Sequence, residues 1–272
     1  MQKRVYPSGM RGREVSQVRR AVAILALLWL ALCPVGCGGP VEVQVKTGQH
    51  VYSVRRSLIE ANYFLFLPQE YGQDPDRRWP LLLFLHGIAK RGDEPEEMAL
   101  LLTDGPPLIV DQQSDFPFVV LSPQCPSDSF WDQELDRLDL VLDEVEANYA
   151  VDPDRIYLTG LSMGGFGAWH YALRHPRRFA ALVPIAGGYA FDSDETPPDL
   201  CDLAGLPHWV FHGARDEAVS PRHSQVMVDA LRACGADVRF TLYEDADHAT
   251  AWHRAYADPD LYDWLLQHER AP

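Results

Sequence analysis

Three side chains of the types that together perform nucleophilic catalysis each follow a predicted β-strand. Ser162 lies in Gly160-Leu161-Ser162-Met163-Gly164, after the β-prone run 156–159 and before a helical pattern. Asp216 follows a strand predicted over 209–211, and we expect His248 in the loop after a strand predicted over 238–242. In such a set the serine attacks a carbonyl carbon, and the histidine takes the serine's proton and later returns it. The aspartate orients the imidazole and stabilises its charge.

The glycines on either side of Ser162 give this motif its structural meaning. A Gly-x-Ser-x-Gly sequence between a strand and a helix is typical of a sharp turn that presents the serine hydroxyl. We expect the strand and helix backbones to pass too close at Gly160 and Gly164 for a side chain to fit, and Ser162 to have a strained backbone. The motif alone is weak, so the flanking strand and helix carry the prediction.

Strands alternate with helices along the chain, which predicts an α/β fold with a mainly parallel sheet and helices on both faces. The predicted strands cover residues 41–45, 62–67, 81–85, 118–121, 156–159, 182–185, 209–211 and 238–242. The predicted helices cover residues 96–102, 132–148, 166–175, 221–234 and 259–268. No linker interrupts the pattern, so we expect one catalytic domain over 41–272. Functional groups in such a sheet lie at the carboxyl ends of the strands, which brings the three side chains to one edge.

Other residues compete for two of these roles. His253 could replace His248 as the base, but Asp247-His248 comes sooner after the predicted strand. Asp245 and Asp192 could replace Asp216 as the acid, although both are more typical of solvated surface positions. His212, in His212-Gly213-Ala214-Arg215-Asp216, is expected to shape the turn that carries the aspartate.

An oxyanion that develops on the substrate needs two N–H donors near Ser162. The first is the backbone N–H of Met163, at the start of the predicted helix. The second is expected from the loop that follows the buried strand 81–85, where His86-Gly87-Ile88 places the N–H of Ile88. The alternative is that this loop is a plain tight turn.

The order serine, aspartate, histidine is that of the α/β-hydrolases. The motifs His86–Asp93, Gly160–Gly165 and His212–Asp216, with the tail around His248, Trp252 and Tyr256, resemble the phospholipase/carboxylesterase branch of that superfamily. Within this branch they are most similar to bacterial feruloyl-esterase-like proteins and the "predicted peptidase" group. The resemblance covers about residues 50–270, and it implies a carboxylic ester hydrolase without a cofactor.

Trp131 and Trp252 are candidates to contact the substrate, because each could stack on an aromatic or sugar-linked acyl group. Each could equally pack against the helix behind it. We therefore expect a small-molecule or glycan-linked ester as substrate. A serine peptidase or an acyl transferase remains an alternative, and so does a catalytically silent lipoprotein that uses the fold for binding.

The first 36 residues have the composition of an export signal. A basic segment precedes the apolar run 21–32, which is too short to span a bilayer comfortably but suits the apolar region of a signal peptide. Gly36-Cys37-Gly38-Gly39 then resembles a bacterial lipoprotein site, with Cys37 as the lipidated residue. We expect export to the periplasm or cell surface, with a lipid anchor at Cys37. Ordinary signal cleavage and an uncleaved anchor are the alternatives.

The charge of the chain excludes some partners. Its formal net charge is −15, so its surface repels nucleic acid and anionic lipid. No group of His, Cys and Asp residues has the spacing of metal ligands, so the sequence predicts no catalytic metal.

The topology predicts how the remaining cysteines pair. Cys125 follows the carboxyl end of a strand, on the active-site edge. Cys201 precedes the strand 209–211, and Cys234 ends a helix that runs away from that edge, so these two lie at the opposite edge. Since disulfide-linked Cα atoms lie within about 7 Å of each other, any disulfide should join Cys201 and Cys234. Cys125 should then be a free thiol near the site. The alternative is that all three are buried, reduced residues.

Overall fold

Residues 46–271 are described by a computed structural model, and eight strands in this part form one sheet. The strands are β1 (Gly48–Arg56), β2 (Ile59–Leu67), β3 (Trp79–Leu85), β4 (Val119–Pro123), β5 (Val151–Leu161), β6 (Ala181–Ile185), β7 (His208–Gly213) and β8 (Val238–Tyr243). Their spatial order is β1-β2-β4-β3-β5-β6-β7-β8. β2 pairs antiparallel with β1 and β4, and every other pair is parallel. The predicted mainly parallel sheet is therefore confirmed.

The described residues form six α-helices: α1 (Gly105–Gln112), α2 (Leu135–Asn148), α3 (Met163–Arg174), α4 (Pro221–Ala233), α5 (His248–Ala257) and α6 (Pro259–Leu266). The first four lie between strands, and α5 and α6 follow β8. The segments Ile88–Lys90, Pro95–Thr103, Trp131–Gln133 and Leu200–Leu203 are 3₁₀ helices. Four of the five predicted helices are present as α-helices, with ends that differ by a few residues. The fifth, over 96–102, is a 3₁₀ helix.

The sheet buries a separate hydrophobic core on each face, because successive side chains of a strand point to opposite sides. On the central strand β5, Ile156 and Leu158 enter one core, while Tyr157 and Leu161 enter the other. Helices α2, α3 and α4 cover the first core, and α1, α5 and α6 cover the second. This is the α/β-hydrolase arrangement, and it explains why the central strands are apolar without alternation.

Strand β1 and the helices α1 and α5 were not expected from the sequence. β1 occupies 48–56, a segment for which no strand was expected, whereas the strand predicted over 41–45 lies outside the described residues. Helix α1 is not among the predicted helices, and it begins with Gly105-Pro106-Pro107. Proline fits the first turn of a helix, where its missing N–H needs no partner, so these residues begin α1.

The predicted export signal over 1–36 and the lipidation site Cys37 also lie outside the described residues. Within residues 46–271, no helix is both long and apolar enough to cross a bilayer.

Candidate active site

Ser162 lies at the turn between β5 and α3 and has a positive φ of 54°, with ψ −121°. This is the strained backbone that the motif predicted. A Cβ atom at Gly160 would lie 2.2 Å from the carbonyl oxygen of Gly164, and one at Gly164 would lie 1.9 Å from that of Leu85. Only glycine fits at these two positions, because the backbones of β5, α3 and β3 meet there.

His248 faces Ser162, with 2.9 Å between its Nε2 atom and the serine Oγ. We expected His248 in a loop, and this was wrong: it is the first residue of α5. The carboxylate of Asp247 caps this helix by accepting a hydrogen bond from the N–H of Thr250 at 2.8 Å. The cap fixes the backbone from which the imidazole extends, and the edge of Trp252 packs against the ring at a centroid distance of 4.8 Å.

Asp216 completes the chain of hydrogen bonds, since its Oδ2 accepts from Nδ1 of His248 at 2.6 Å. Its Oδ1 accepts from the backbone N–H groups of Ala218 and Val219 at 2.9 and 2.8 Å. Burial by itself raises the pKa of this carboxyl, but hydrogen bonds from His212, His248 and the Val219 N–H outweigh burial and lower it well below its usual range. Asp216 is therefore ionised and aimed at His248.

The structure places the competing residues elsewhere. His253 is half-exposed, and its Nε2 lies 3.8 Å from a carboxylate oxygen of Asp104. Asp245 forms a two-point ion pair with Arg254, at 2.6 and 2.8 Å. Asp192 lines the cavity in front of Ser162 but lies on an exposed loop. Of the expected candidates for base and acid, His248 and Asp216 are the pair that forms a hydrogen-bonded chain with the serine.

Ile88 and Met163, the two expected oxyanion donors, both line the cavity beside Ser162. Met163 is the first residue of α3, and Ile88 begins the 3₁₀ helix after β3, so neither N–H has a partner within its own helix. Among the described residues, no backbone carbonyl outside the helices accepts from either group. Both donors are therefore available to a ligand in the cavity.

A buried histidine holds the loop that carries Ile88. The Nδ1–H of His86 donates to the carbonyl of Gly87 at 2.8 Å, and its Nε2 accepts from the N–H of Cys125 at 3.0 Å. Burial lowers the pKa of His86 to about 4, which keeps the ring neutral, as these two bonds require. The indole N–H of Trp131 donates to the carbonyl of His86 at 2.9 Å. This loop is consequently fixed before any ligand binds.

A cavity of about 620 Å³ opens in front of Ser162. Its walls are mainly apolar and include several aromatic rings, of which two are well exposed, Phe130 at 41% and Phe191 at 64%. Asp132 and Asp192 are the two carboxylates that line it, and no lysine or arginine of residues 46–271 does so. A volume of this size suits a small-molecule ligand with an apolar group.

The two tryptophans proposed as substrate contacts occupy different places. Trp131 lines the cavity but is only 1% exposed, since its ring packs against Gly167 and its indole N–H is bonded to His86. Trp252 is not among the described residues that line the cavity, and it packs behind the His248 ring instead. Trp131 can thus form part of the cavity wall, whereas Trp252 is placed to support the imidazole ring of His248.

The sequence profile of the dienelactone hydrolase family matches residues 45–257. The chain belongs to the dienelactone hydrolase family. This family lies within the α/β-hydrolase superfamily, so the resemblance inferred from the motifs is confirmed at that level.

The individual relatives of this dienelactone hydrolase family member described next share less than a third of their residues with it. A protein of Escherichia coli (strain K12) described as "Putative carboxymethylenebutenolidase" is 27% identical over 129 residues, which are 43% of this chain and 48% of the relative. The chain thus spans about half the length of such curated relatives. The crystal structure of a thermostable esterase superposes with a TM-score of 0.68 at 29% identity, covering 82% of this chain and 63% of that one. A ferulic acid esterase of 19% identity has a TM-score of 0.56, over 80% of this chain and 97% of the other, and shows the shared fold.

The cysteines of this family member are arranged as the topology predicted. Cys201 and Cys234 form a disulfide with a Cα–Cα distance of 5.3 Å, and Cys125 is a free thiol. Cys125 is fully buried beside the loop that carries Ile88, and burial raises its thiol pKa to about 12. The thiol is therefore not a nucleophile at neutral pH.

Sequence reasoning missed the roles of His86 and Phe166 in this dienelactone hydrolase family member. His86 was considered only as part of its loop, although a histidine directly after a buried strand could have been identified as a residue that holds the turn. Phe166 and Phe191 pack together at a ring-centroid distance of 5.6 Å and form one wall of the cavity. Their separation in sequence gives no signal of this contact.

Proposed function

We propose that the protein is a serine carboxylic ester hydrolase that forms an acyl-enzyme intermediate on Ser162. The observation that carries the proposal is the continuous chain of hydrogen bonds from Ser162 Oγ through His248 to Asp216. Membership of the dienelactone hydrolase family supports it, as does the similarity to a thermostable esterase.

In the proposed reaction, Nε2 of His248 takes the hydroxyl proton as Ser162 Oγ attacks the ester carbonyl carbon. The carbonyl oxygen becomes an oxyanion that accepts hydrogen bonds from the N–H groups of Ile88 and Met163, each contributing about 3 kcal/mol to the transition state. When the intermediate collapses, the bond to the alcohol breaks, and the alcohol oxygen receives the proton from His248. A water molecule then repeats the sequence on the acyl-enzyme, which releases the acid and restores Ser162.

The cavity supports a neutral, apolar acyl group, and an aromatic one fits best. Phe166 and Phe191 offer faces and edges for ring packing, which adds about 0.5–1.5 kcal/mol beyond the area buried. A carboxylate on the acyl group would meet Asp132 and Asp192 without a lysine or arginine in the described part of the cavity wall to pair with it. The exposed side of the cavity leaves room for an alcohol part of larger size, such as a sugar.

An active-site probe followed by a matched set of esters tests this function. A fluorophosphonate should label the protein at Ser162, whereas a silent binding protein would remain unlabelled. Aryl and feruloyl esters should then be hydrolysed faster than aminoacyl amides. They should also be hydrolysed faster than hemisuccinate esters of the same alcohol. Preference for the amides would indicate a peptidase, and ester products formed with added alcohol would indicate an acyl transferase.

Substitution of the three side chains provides the residue-level test. Ser162→Ala, His248→Ala and Asp216→Asn should each lower kcat by a factor of about 10⁴ or more. The double variant Ser162→Ala/His248→Ala should lose little beyond the single ones, because the groups act as a unit. His253→Ala is the matched control and should retain activity. Loss of activity in that control together with an active His248→Ala would refute the assignment of the base.

We also propose that the protein is exported and carries lipid on Cys37. The basic segment, the apolar run 21–32 and the Gly36-Cys37-Gly38 sequence support this. Intact mass and detergent partitioning of the mature protein provide the test. A soluble product that begins at another residue would leave export standing and refute the anchor.

A further inference from the structure

A second histidine binds the carboxylate that serves His248. His212 lies in β7 and is fully buried, with its Nε2 at 3.1 Å from Oδ2 of Asp216 and 3.0 Å from the carbonyl oxygen of Val219. Both neighbours are hydrogen-bond acceptors, so Nε2 must carry a proton. The single Nε2–H of His212 is thus shared between the carbonyl of Val219, to which it donates a hydrogen bond, and the Asp216 oxygen that accepts from His248.

The opposite edge of the His212 ring is also bonded. Its Nδ1 lies 2.7 Å from Oγ of Ser224 on α4, and the same Oγ lies 2.8 Å from the carbonyl oxygen of Gly187. The backbone of Gly187 packs directly against that of Gly165, three residues after Ser162. A continuous buried network therefore joins the Asp216 loop to the turn that carries the nucleophile.

Ser224, His212 and Asp216 have the residue types of a catalytic triad, yet they cannot act as one. Ser224 and His212 are both fully buried, and neither lines the cavity in front of Ser162. No substrate carbonyl can reach the Ser224 hydroxyl. The function of this set must therefore be exerted through Asp216.

We propose that His212 is a positioning residue that holds Asp216 ionised and directs its Oδ2 atom at His248. The proposal rests on the function proposed above. A buried carboxylate resists ionisation, and a donor that binds its charged form opposes this effect. With two backbone donors on Oδ1 and His212 on Oδ2, the carboxylate can neither rotate nor take up a proton without losing a bond.

The charged and titratable groups around Asp216 come from β7 and from α5 with its cap residue. His212 approaches from β7, and His248 approaches from α5 together with the cap residue Asp247, whose negative charge is felt by Asp216. Helix α4 contributes the neutral hydroxyl of Ser224 through His212. Asp247 opposes ionisation of Asp216, which makes the donor on His212 more important.

The test compares His212→Met, which removes the donor, with His212→Gln, whose amide N–H can replace Nε2–H. In the plot of kcat/KM against pH, the acidic limb is the range in which activity falls as the pH is lowered. It reports protonation of the coupled His248–Asp216 pair. In His212→Met this limb should move upward by about one pH unit, because Asp216 loses a donor to its charged form. The value of kcat should fall about tenfold, the usual effect of one lost hydrogen bond to a charged group. His212→Gln should restore most of both.

His208→Met is the matched control, because His208 is another buried histidine of the same strand. Its acidic limb should coincide with that of the wild type. A folded His212→Met protein with an unshifted limb would overturn the proposal, as would an equal shift in His208→Met.

The unsubstituted protein gives a second measurement that needs no variant and no activity. The imidazole ¹⁵N resonances of the histidines can be assigned by through-bond NMR experiments. Nε2 of His212 should be protonated, and its proton should exchange slowly with water. An unprotonated Nε2 would overturn the proposal even if His212→Met failed to fold. If the protein had no esterase activity at all, the proposed function would fail, and this spectrum would still decide whether His212 donates to Asp216.

Discussion

Removal of the Cys201–Cys234 disulfide should destabilise the protein without affecting catalysis. The bond joins residues 33 positions apart, between the 3₁₀ helix Leu200–Leu203 and the end of α4. Closing a loop of that length removes about 12 cal/mol/K of entropy from the unfolded chain, which corresponds to about 3.7 kcal/mol at 25 °C. Both cysteines lie at the edge of the sheet away from Ser162, so kcat and KM should not change.

The perturbation is the double substitution Cys201→Ser/Cys234→Ser, and the assay is urea unfolding followed by fluorescence. The midpoint should fall by about 1 M urea or more. Reduction of the wild type should produce the same shift, whereas Cys125→Ala is the control that leaves the bond intact. A loss below about 1 kcal/mol, or an equal loss in Cys125→Ala, would refute the loop-entropy reasoning. Alkylation of Cys201 and Cys234 in the native, unreduced protein would refute the bond itself.

Two further predictions concern packing and pH. Gly164→Ala should lower stability by about 3 kcal/mol and abolish most activity, because the added Cβ would lie 1.9 Å from the carbonyl oxygen of Leu85. Gly205→Ala is the control, since a Cβ at Gly205 would have no atom within 4 Å. In thermal melts and ester assays it should behave as the wild type. Burial lowers the pKa of His208 to about 3. Below pH 6.5 this imidazole is therefore protonated in the unfolded state but stays neutral in the folded state, and the protein becomes less stable as the pH is lowered. The loss should reach about 3 kcal/mol at pH 4. Urea unfolding at pH 7 and pH 4 measures this loss of unfolding free energy, which should be smaller by that amount in His208→Met than in the wild type. An equal loss in the variant and the wild type would contradict the prediction.

The turn around Ser162 could be predicted from the sequence because its determinants are local. The apolar run before it, the two glycines and the helical pattern after it lie within about twenty residues, and each restricts the backbone by itself. The pairing of Cys201 with Cys234 could be predicted as well. It depends on which edge of a parallel sheet each residue occupies, and that follows from the order of strands and helices.

The tertiary structure decided the details that depend on contacts between distant segments. Ala251 and Ala255 of α5 are fully buried where the helix packs against β7, and this draws His248 into a helix that was not expected from the sequence. The same docking turns His248 toward Ser162 and leaves His253 near Asp104. Packing of Trp131 against Gly167 likewise made a proposed substrate contact into a buried wall. Local sequence determines which conformations a segment can adopt, but the side chain that reaches the nucleophile depends on how separate elements bury their apolar faces together.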